Sequence, residues 1–191
     1  MAKAIFFDRD GTLNEEVDVL RDVAQLRVLP GVSDALKKLR DLGFLLIVVT
    51  NQPVIARGWL TRAQVEEIHD ELLRRLNAEG ATIDKLYYCP HHPNANLPEY
   101  RVECECRKPN IGLIEQACAE FDIDPAQSFF VGDSTSDILA GNRATLTTIL
   151  VETGYAGKDG KYNVVPDFIV KDLSQIVNVI ARSEVTKQSF V

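Results

Sequence analysis

The sequence predicts an α/β protein with a doubly wound, Rossmann-like and mostly parallel sheet. The main observation is that short apolar runs of strand length alternate with amphipathic stretches of helical period, as in repeated β–α–β units. The first apolar run, Ala4-Ile5-Phe6-Phe7, contains no polar residue, which is typical of a strand buried on both faces of a parallel sheet. With 191 residues, the chain is long enough to bury one such core.

Each later element is predicted from its periodicity and its end signals. A helix follows Pro30-Gly31 and ends at Gly43, because glycine readily adopts the backbone conformation that ends a helix. Thr61 and Gln64 have the spacing of a capping box, which predicts that a longer helix begins there. The predicted elements are strand 4–7, a helix between 31 and 43, strand 44–49, helix 62–77, strand 83–88, helix 111–121, strand 128–131, helix 137–144, strand 147–151, strand 167–170 and helix 172–180.

We expect one domain over residues 1–182 and a flexible tail over residues 183–191. The chain has no internal repeat and no low-complexity linker that would divide it. Two irregular segments, residues 13–29 and residues 89–110, interrupt the alternation of strands and helices. The second is too long to be an idle connection in a compact domain, so we expect it to have a function.

Composition and charge narrow the possible partners. The formal net charge of -7 argues against nucleic acid and membrane surfaces as partners, since both are negatively charged. No apolar run approaches the roughly 18 residues that would span a membrane, and no signal peptide is visible before the first strand. We therefore expect a cytoplasmic monomer that acts on a small molecule.

Two carboxylates, Asp8 and Asp10, directly follow the first strand. In extended backbone, residues two apart point to the same side, so both carboxylates can converge just past the strand's carboxyl end. Gly11 lets the chain turn there. Open α/β sheets bind ligands at that edge, and oxygen ligands of this kind suit Mg²⁺. A strand followed by an acidic turn would have the same pattern.

Further polar residues fit the same chemistry. Thr50-Asn51 ends the second strand, Lys108 lies in a Cys-Arg-Lys-Pro stretch, and Asp133 and Asp137 follow a later strand. Alone, these could be a strand end, a solvated lysine and acids favoured at a helix N-terminus. Their order is D-x-D-G-T, then strand-Thr, then Lys, then G-D-x-x-x-D, and it extends over most of the chain. That order resembles the haloacid dehalogenase (HAD) superfamily of phosphohydrolases.

The resemblance implies a covalent phosphatase mechanism. Asp8 would be the nucleophile that forms an aspartyl-phosphate, and Asp10 would protonate the leaving oxygen and then activate water. Thr50 and Asn51 would donate hydrogen bonds to the phosphoryl oxygens. Lys108 would offset the negative charge that Asp8 shares with the phosphate.

The resemblance also implies a magnesium site and an open architecture. Mg²⁺ would be held by Asp8, Asp133 and the main-chain carbonyl of Asp10, with Asp137 supporting these ligands from behind. Many HAD enzymes carry an inserted cap domain over the active site. Neither usual insertion point here has room for one, so a capless enzyme is expected, with short loops shaping substrate access.

The segment from residue 89 to 106 has the residue types of a zinc site. Three thiols and one imidazole, with no position left open for substrate, suit structural Zn²⁺. Free thiols beside a loop histidine are the alternative, and His92 is the alternative fourth ligand; Cys118 is expected in the core. Zinc here would also fix the backbone of Arg107 and Lys108, which follow the last ligand. The predicted ligands are Cys89, His91, Cys104 and Cys106.

Several stretches narrow the resemblance to the D-glycero-D-manno-heptose-1,7-bisphosphate 7-phosphatases and the related histidinol-phosphate phosphatases. These stretches are residues 8–14, 50–52, 55–58, 88–93 and 106–109. By that resemblance, the substrate-binding residues are Arg9, Glu16, Val19, Asn51, Gln52, Pro53, Arg107 and Ser134.

The chain also departs from the heptose enzymes. They usually have Gly-Tyr at Asp18-Val19, Ser-Gly at Pro53-Val54, Pro at Asn110 and Gly at Thr145. All but Thr145 lie on the expected substrate loops. Heptose specificity is therefore a separate question from phosphatase activity.

Other functional classes remain open. A phospho-accepting receiver module is also doubly wound and Mg²⁺-dependent, but it pairs adjacent acids after its first strand, whereas Asp8 and Asp10 are two apart. A binding protein that has lost catalysis could share the fold, since fold does not imply function. The intact set of acids and Lys108 favours a Mg²⁺-dependent phosphatase of a small phosphorylated sugar, with histidinol phosphate or a broader range of sugar phosphates as the alternative.

Overall fold

Six parallel strands form one sheet in the order β3-β2-β1-β4-β5-β6. The computed structural model describes the backbone of residues 1–188 and the side chains of residues 1–182. The predicted doubly wound parallel sheet is confirmed. Its strands are β1 (Ala4–Phe7), β2 (Leu45–Asn51), β3 (Lys85–Cys89), β4 (Phe129–Gly132), β5 (Thr147–Val151) and β6 (Phe168–Val170).

Helices cover both faces of the sheet, and the alternation of side chains along each strand divides the core in two. Ile5 and Phe7 pack in one apolar cluster with α1, α2 and α5, whereas Ala4 and Phe6 pack in a second with α3 and α4. Burial on both faces explains why β1 has no polar residue. The helices are α1 (Val32–Asp41), α2 (Arg62–Ala78), α3 (Gly112–Phe121), α4 (Thr135–Arg143) and α5 (Ile176–Gln188).

The strand order places the carboxyl ends of β1, β2 and β4 side by side. Phe7 of β1 is in register with Val48 of β2 on one side and with Val131 of β4 on the other. From β1 the chain continues to β2 on one side, whereas from the adjacent β4 it continues to β5 on the other. Such a switch opens a crevice where α/β proteins bind ligands. Polar residues that follow these three strands therefore meet at one edge.

Two helix boundaries differ from the sequence prediction. The helix α4 begins at Thr135, before the predicted start at Asp137, because Ser134 and Asp137 form a capping box. The helix α5 extends to Gln188, beyond the predicted end at residue 180, and the flexible tail over residues 183–191 stays a prediction. No glycine or proline follows Ile180 to end the helix. Residues 189–191 lie outside the described part of the chain.

The connections between strands and helices are too short to contain a separate folded domain. The long connections after β1 and β3 each contain one single-turn helix, Val23–Gln25 and Pro98–Tyr100. Over residues 1–188, nothing resembling a separate cap is inserted, as predicted. No helix in that range combines the length and apolar character needed to cross a membrane.

The turn after α4 contains a testable source of strain. Thr145 has φ of 59°, in the left-handed region that costs a residue with a side chain about 1–2 kcal/mol. Glycine avoids that cost but loses about 0.5–1 kcal/mol through the entropy of the unfolded chain. We expect Thr145→Gly to raise the free energy of unfolding in urea by about 0.5–1 kcal/mol. Thr147→Gly, in the extended backbone of β5, is the matched control and should lower it. Equal losses in both variants would contradict the strain argument.

Candidate active site

A cleft of about 250 Å³ opens at the carboxyl ends of β1, β2 and β4. It brings together most residues that the sequence analysis placed in the site. Thr50 is the predicted catalytic residue that does not line it. The predicted residues in its wall are Asp8, Arg9, Asp10, Glu16, Val19, Asn51, Gln52, Pro53, Arg107, Lys108, Asp133, Ser134 and Asp137.

Asp8 and Lys108 form an ion pair at the centre of the cleft. The Asp8 amide still donates to Val131 of β4, so the residue is held at the sheet edge. Lys108 Nζ lies 2.8 Å from Asp8 Oδ1 and 2.7 Å from Asp137 Oδ1, and its side chain is 2 % exposed. Burial opposes the charge on Lys108, but the two carboxylates outweigh it and raise its pKa. The lysine is therefore a fixed positive charge beside the expected nucleophile.

Three carboxylates converge on one point. Oxygen atoms of Asp8, Asp133 and Asp137 all lie within 4.8 Å of one another. Burial, followed by the charges of the neighbouring acids, raises the pKa of Asp133 to about 9. Burial is also the main cause that raises the pKa of Asp8 to about 6, although Lys108 opposes the rise. Hard oxygen donors that repel one another in this way fit a divalent cation such as Mg²⁺.

Two glycines permit the close packing around Asp133. A Cβ on Gly11 would lie 2.3 Å from Asp133 Oδ2, and one on Gly154 would lie 2.2 Å from the same oxygen. Tyr155 N also donates to Asp133 Oδ2 at 2.6 Å. The backbone around both glycines therefore encloses this carboxylate where any side chain would displace it.

Asp10 has a different environment from Asp8. Its carboxylate accepts hydrogen bonds from Arg9 and from the side-chain amides of Asn14 (2.9 Å) and Gln52 (3.0 Å). Burial opposes its ionisation, but these donors together, Arg9 foremost, hold its pKa below the usual range. An ionised Asp10 can accept a proton, which is the second part of its predicted role. To act as an acid, Asp10 must first take up a proton.

Several side chains that were predicted to contact substrate form hydrogen bonds within the protein. Arg9 is 1 % exposed and donates to Asp10, and Gln52 connects Arg9, Asp10 and Thr50, so these side chains hold the Asp10 carboxylate in place. Direct contact of Arg9 or Gln52 with substrate stays a prediction. Ser134 lines the cleft, but its hydroxyl and main-chain amide donate to Asp137.

Asn51 positions Lys108. Its side-chain oxygen accepts from Lys108 N at 3.0 Å, and its side-chain nitrogen donates to Lys108 O at 3.1 Å. Donation from the Asn51 amide to a phosphoryl oxygen stays a prediction, because only one of the two N–H groups of its side-chain nitrogen is used by the main chain. Thr50 is 1 % exposed and its hydroxyl accepts from Gln52, so its role as a phosphoryl donor stays a prediction.

The predicted zinc ligands lie together beside the cleft. Their ligand atoms are all within 4.8 Å of one another, and His91 faces Cys106 through Nδ1 at 3.3 Å. The sulfur atoms of Cys89 and Cys106 are 2.9 Å apart, and the four cysteines are free thiols. Sulfur and imidazole in this arrangement fit a tetrahedral metal such as Zn²⁺.

The alternative histidine does not join the cluster. His92 Nδ1 accepts from the amide of Asn94, and the residue lines the cleft. The cluster does connect to the active site, since Arg107 donates to His91 O at 3.1 Å and Lys108 follows directly. A metal or contact that fixes the thiol loop would therefore also fix the positions of Arg107 and Lys108 in the cleft. Cys118 lies on α3, packed against the core as expected.

Sequence reasoning assigned no role to several residues at or beside the cleft. Asn14 supports Asp10, while Arg57, Tyr155 and Lys161 line the wall. The segment after β5 had a usable signal, because Thr153-Gly154 lies at the carboxyl end of a parallel strand and so at the same edge as Asp8. Thr153 Oγ1 donates to Gly11 O at 2.6 Å, which ties that segment to the turn after β1.

Comparison with known proteins gives the family. A HAD-hydrolase-like family profile matches residues 105–176. A D-glycero-β-D-manno-heptose-1,7-bisphosphate 7-phosphatase from Haemophilus ducreyi is 43 % identical over 156 residues, which are 81 % of this chain and 85 % of the relative. The chain belongs to the HAD-like phosphatases. The predicted superfamily is thus confirmed, and with it the class of enzyme, a hydrolase of phosphate esters.

Further relatives of this HAD-like phosphatase cover nearly the whole chain. The enzyme of the same name from Escherichia coli K12 is 37 % identical over 182 residues, 95 % of each chain. The crystal structure of a D,D-heptose 1,7-bisphosphate phosphatase from B. bronchiseptica, complexed with magnesium and phosphate, superposes with a TM-score of 0.83 at 29 % identity and covers 95 % of this chain and 99 % of that one. The predicted narrower resemblance is therefore also confirmed.

Proposed function

We propose that this phosphatase removes the 7-phosphate of D-glycero-D-manno-heptose 1,7-bisphosphate through a phosphorylated Asp8. The observation that carries the proposal is Lys108 Nζ, 2.8 Å from Asp8, beside the converging carboxylates of Asp133 and Asp137. The names of the relatives support the choice of substrate. The cleft supports it further, because both acidic and cationic side chains line one volume.

The proposed reaction has two steps. An Asp8 carboxylate oxygen attacks the phosphorus of the 7-phosphate, and the P–O bond to the sugar breaks as Asp10 protonates the leaving oxygen. Asp10 then takes a proton from water, which attacks the aspartyl-phosphate and releases inorganic phosphate. Throughout, the ammonium of Lys108 offsets the charge that Asp8 shares with the phosphoryl group. Two hydrogen bonds between the Asn51 side chain and the main chain of Lys108 help to keep that ammonium in place.

Two metal sites complete the proposal. Asp8, Asp133 and the main-chain carbonyl of Asp10 would hold Mg²⁺, which HAD phosphatases use to neutralise the phosphoryl charge and orient the ester. Cys89, His91, Cys104 and Cys106 would hold structural Zn²⁺, which stabilises an otherwise irregular loop. Free thiols suit a reducing compartment, so we also infer a cytoplasmic location.

The two metals can be separated by experiment. Purified protein should contain about one Zn per chain by elemental analysis, as should Cys118→Ser, whereas Cys106→Ser should lose it. Brief EDTA treatment should remove activity, and added Mg²⁺ should restore it, because oxygen ligands hold the weaker site. Zinc-free wild type, or full activity in protein stripped of all metal, would contradict this assignment.

Substrate choice tests the proposed function itself. We expect kcat/KM for heptose 1,7-bisphosphate to exceed that for histidinol phosphate by at least about tenfold, roughly 1.4 kcal/mol of transition-state binding. Arg107→Ala should remove much of the preference, since a guanidinium held beside the metal loop can bind a phosphate at two points. Histidinol phosphate is the second candidate because Asp18 and Pro53 depart from the heptose enzymes and line the cleft. Faster turnover of histidinol phosphate would replace the heptose assignment.

A further inference from the structure

An exposed tryptophan joins the two loops at the mouth of the cleft. The guanidinium of Arg21 lies 4.2 Å from the centre of the Trp59 ring, and that of Arg57 lies 4.8 Å from it. Arg21 belongs to the loop after β1, which supplies Glu16 and Val19 to the cleft wall. Both distances are within the range in which a cation is attracted to an aromatic face. Trp59 therefore connects one substrate loop to an arginine of the other.

The main chain around Arg57 is also fixed. Arg57 N donates to Pro53 O at 2.9 Å, and Trp59 N donates to Val54 O at 3.0 Å, which closes a tight turn. From the loop that carries the thiols, Asn96 Nδ2 donates to Arg57 O at 3.0 Å. A backbone held from two sides and a side chain held by an aromatic ring leave this guanidinium little freedom.

Arg57 differs in charge pairing from the cations deeper in the cleft. Lys108 and Arg9 are neutralised by Asp8, Asp137 and Asp10. Neither Arg57 nor Arg107 forms an ion pair with any carboxylate of residues 1–182. Arg57 and Arg107 both line the wall of the cleft. The cleft thus has two half-buried guanidinium groups available to an anion.

We propose that Trp59 is a positioning residue that holds Arg57 in the cleft wall it shares with Arg107, and that Arg57 binds the phosphate group that remains on the substrate. The inference rests on the proposed function, in which one phosphate of a bisphosphorylated sugar is cleaved and the other is kept. The reacting phosphate lies at Asp8, so the retained one needs a second anion site in the same cleft. Two guanidinium groups without carboxylate partners meet that need.

The test compares substrates that differ by a single phosphate. For each variant, kcat and KM are measured on heptose 1,7-bisphosphate and heptose 7-phosphate, and on fructose 1,6-bisphosphate and fructose 6-phosphate. Arg57→Ala should lower the ratio of kcat/KM between bisphosphate and monophosphate about tenfold, mainly by raising KM for the bisphosphate. Trp59→Leu should lower the same ratio about fivefold, equivalent to about 1 kcal/mol, and Trp59→Phe should retain it because the ring is kept.

Controls separate positioning from folding and from charge. Arg74→Ala removes one positive charge from the exposed face of α2, outside the cleft, and should leave the ratio unchanged. Circular dichroism and melting temperature check each variant, and Trp59→Phe together with Arg57→Ala still decides the question if Trp59→Leu is unstable.

Each result has a definite meaning. The inference would be overturned if Arg57→Ala lowered kcat/KM equally for bisphosphate and monophosphate. It would also be overturned if the wild type turned over each bisphosphate no better than its monophosphate. If the wild type prefers the fructose pair to the heptose pair, and Arg57→Ala still lowers the ratio, the proposed heptose substrate fails while the inference stands.

Discussion

Asp8→Asn should reduce kcat on every phosphate ester to below about 1 % of the wild-type value, because an amide oxygen cannot form the aspartyl-phosphate. Asp8 is the carboxylate that lies at the end of β1, contacts Lys108 and belongs to the convergent acids. The substitution keeps the shape of the side chain, so the fold should persist. The measurement is steady-state kcat on a sugar phosphate and on a generic aryl phosphate.

A matched control checks that the loss is local. Asp34→Asn makes the same change on the exposed face of α1, where the carboxylate pairs only with Lys37 among the described side chains. It should retain full activity, because surface ion pairs contribute little. Folded Asp8→Asn protein with more than about 1 % of the wild-type kcat would rule out Asp8 as the nucleophile.

Lys108→Met should lower kcat/KM by at least about 100-fold, roughly 2.7 kcal/mol of transition-state stabilisation. It removes the cation between Asp8 and Asp137 and leaves buried carboxylates facing one another. For the same reason, the melting temperature should fall in EDTA and recover in part with Mg²⁺, which supplies the missing charge. The measurements are kinetics and thermal unfolding with and without Mg²⁺.

The control for this substitution is Lys85→Met. Lys85 forms an exposed ion pair with Glu120, so its removal should change neither activity nor stability by more than a small amount. A Lys108→Met variant that behaves like Lys85→Met would show that the buried ion pairs do not support catalysis.

The parts of the site that sequence could predict are those fixed by the ends of regular elements. Asp8 and Asp133 follow apolar strands that are neighbours in the sheet, so parallel pairing alone brings them to one edge. The cluster of three cysteines and one histidine was predictable because its residues are close together along the chain and chemically distinctive.

The parts that sequence could not predict depend on contacts between distant residues. Asn51 and Lys108 are 57 positions apart, and nothing in either residue indicates that the asparagine binds the lysine's main chain. Arg9 was expected to contact substrate by resemblance to the heptose enzymes. In the structure its guanidinium also donates to its neighbour Asp10 and to the distant Gln52, which the sequence did not predict. Such choices depend on which polar groups are buried together, and a linear pattern does not contain that information.

A rapid-quench experiment tests the central claim most directly. The wild-type protein is mixed with excess heptose 1,7-bisphosphate and Mg²⁺, quenched in acid within one turnover, digested and examined by mass spectrometry. The account predicts a phosphate on the peptide that contains Asp8, its absence from Asp8→Asn, and heptose 1-phosphate as the released sugar. The account would be contradicted if the substrate were hydrolysed and no phosphate appeared on Asp8 at any time within the first turnover. It would also be contradicted if the phosphate were found on another residue.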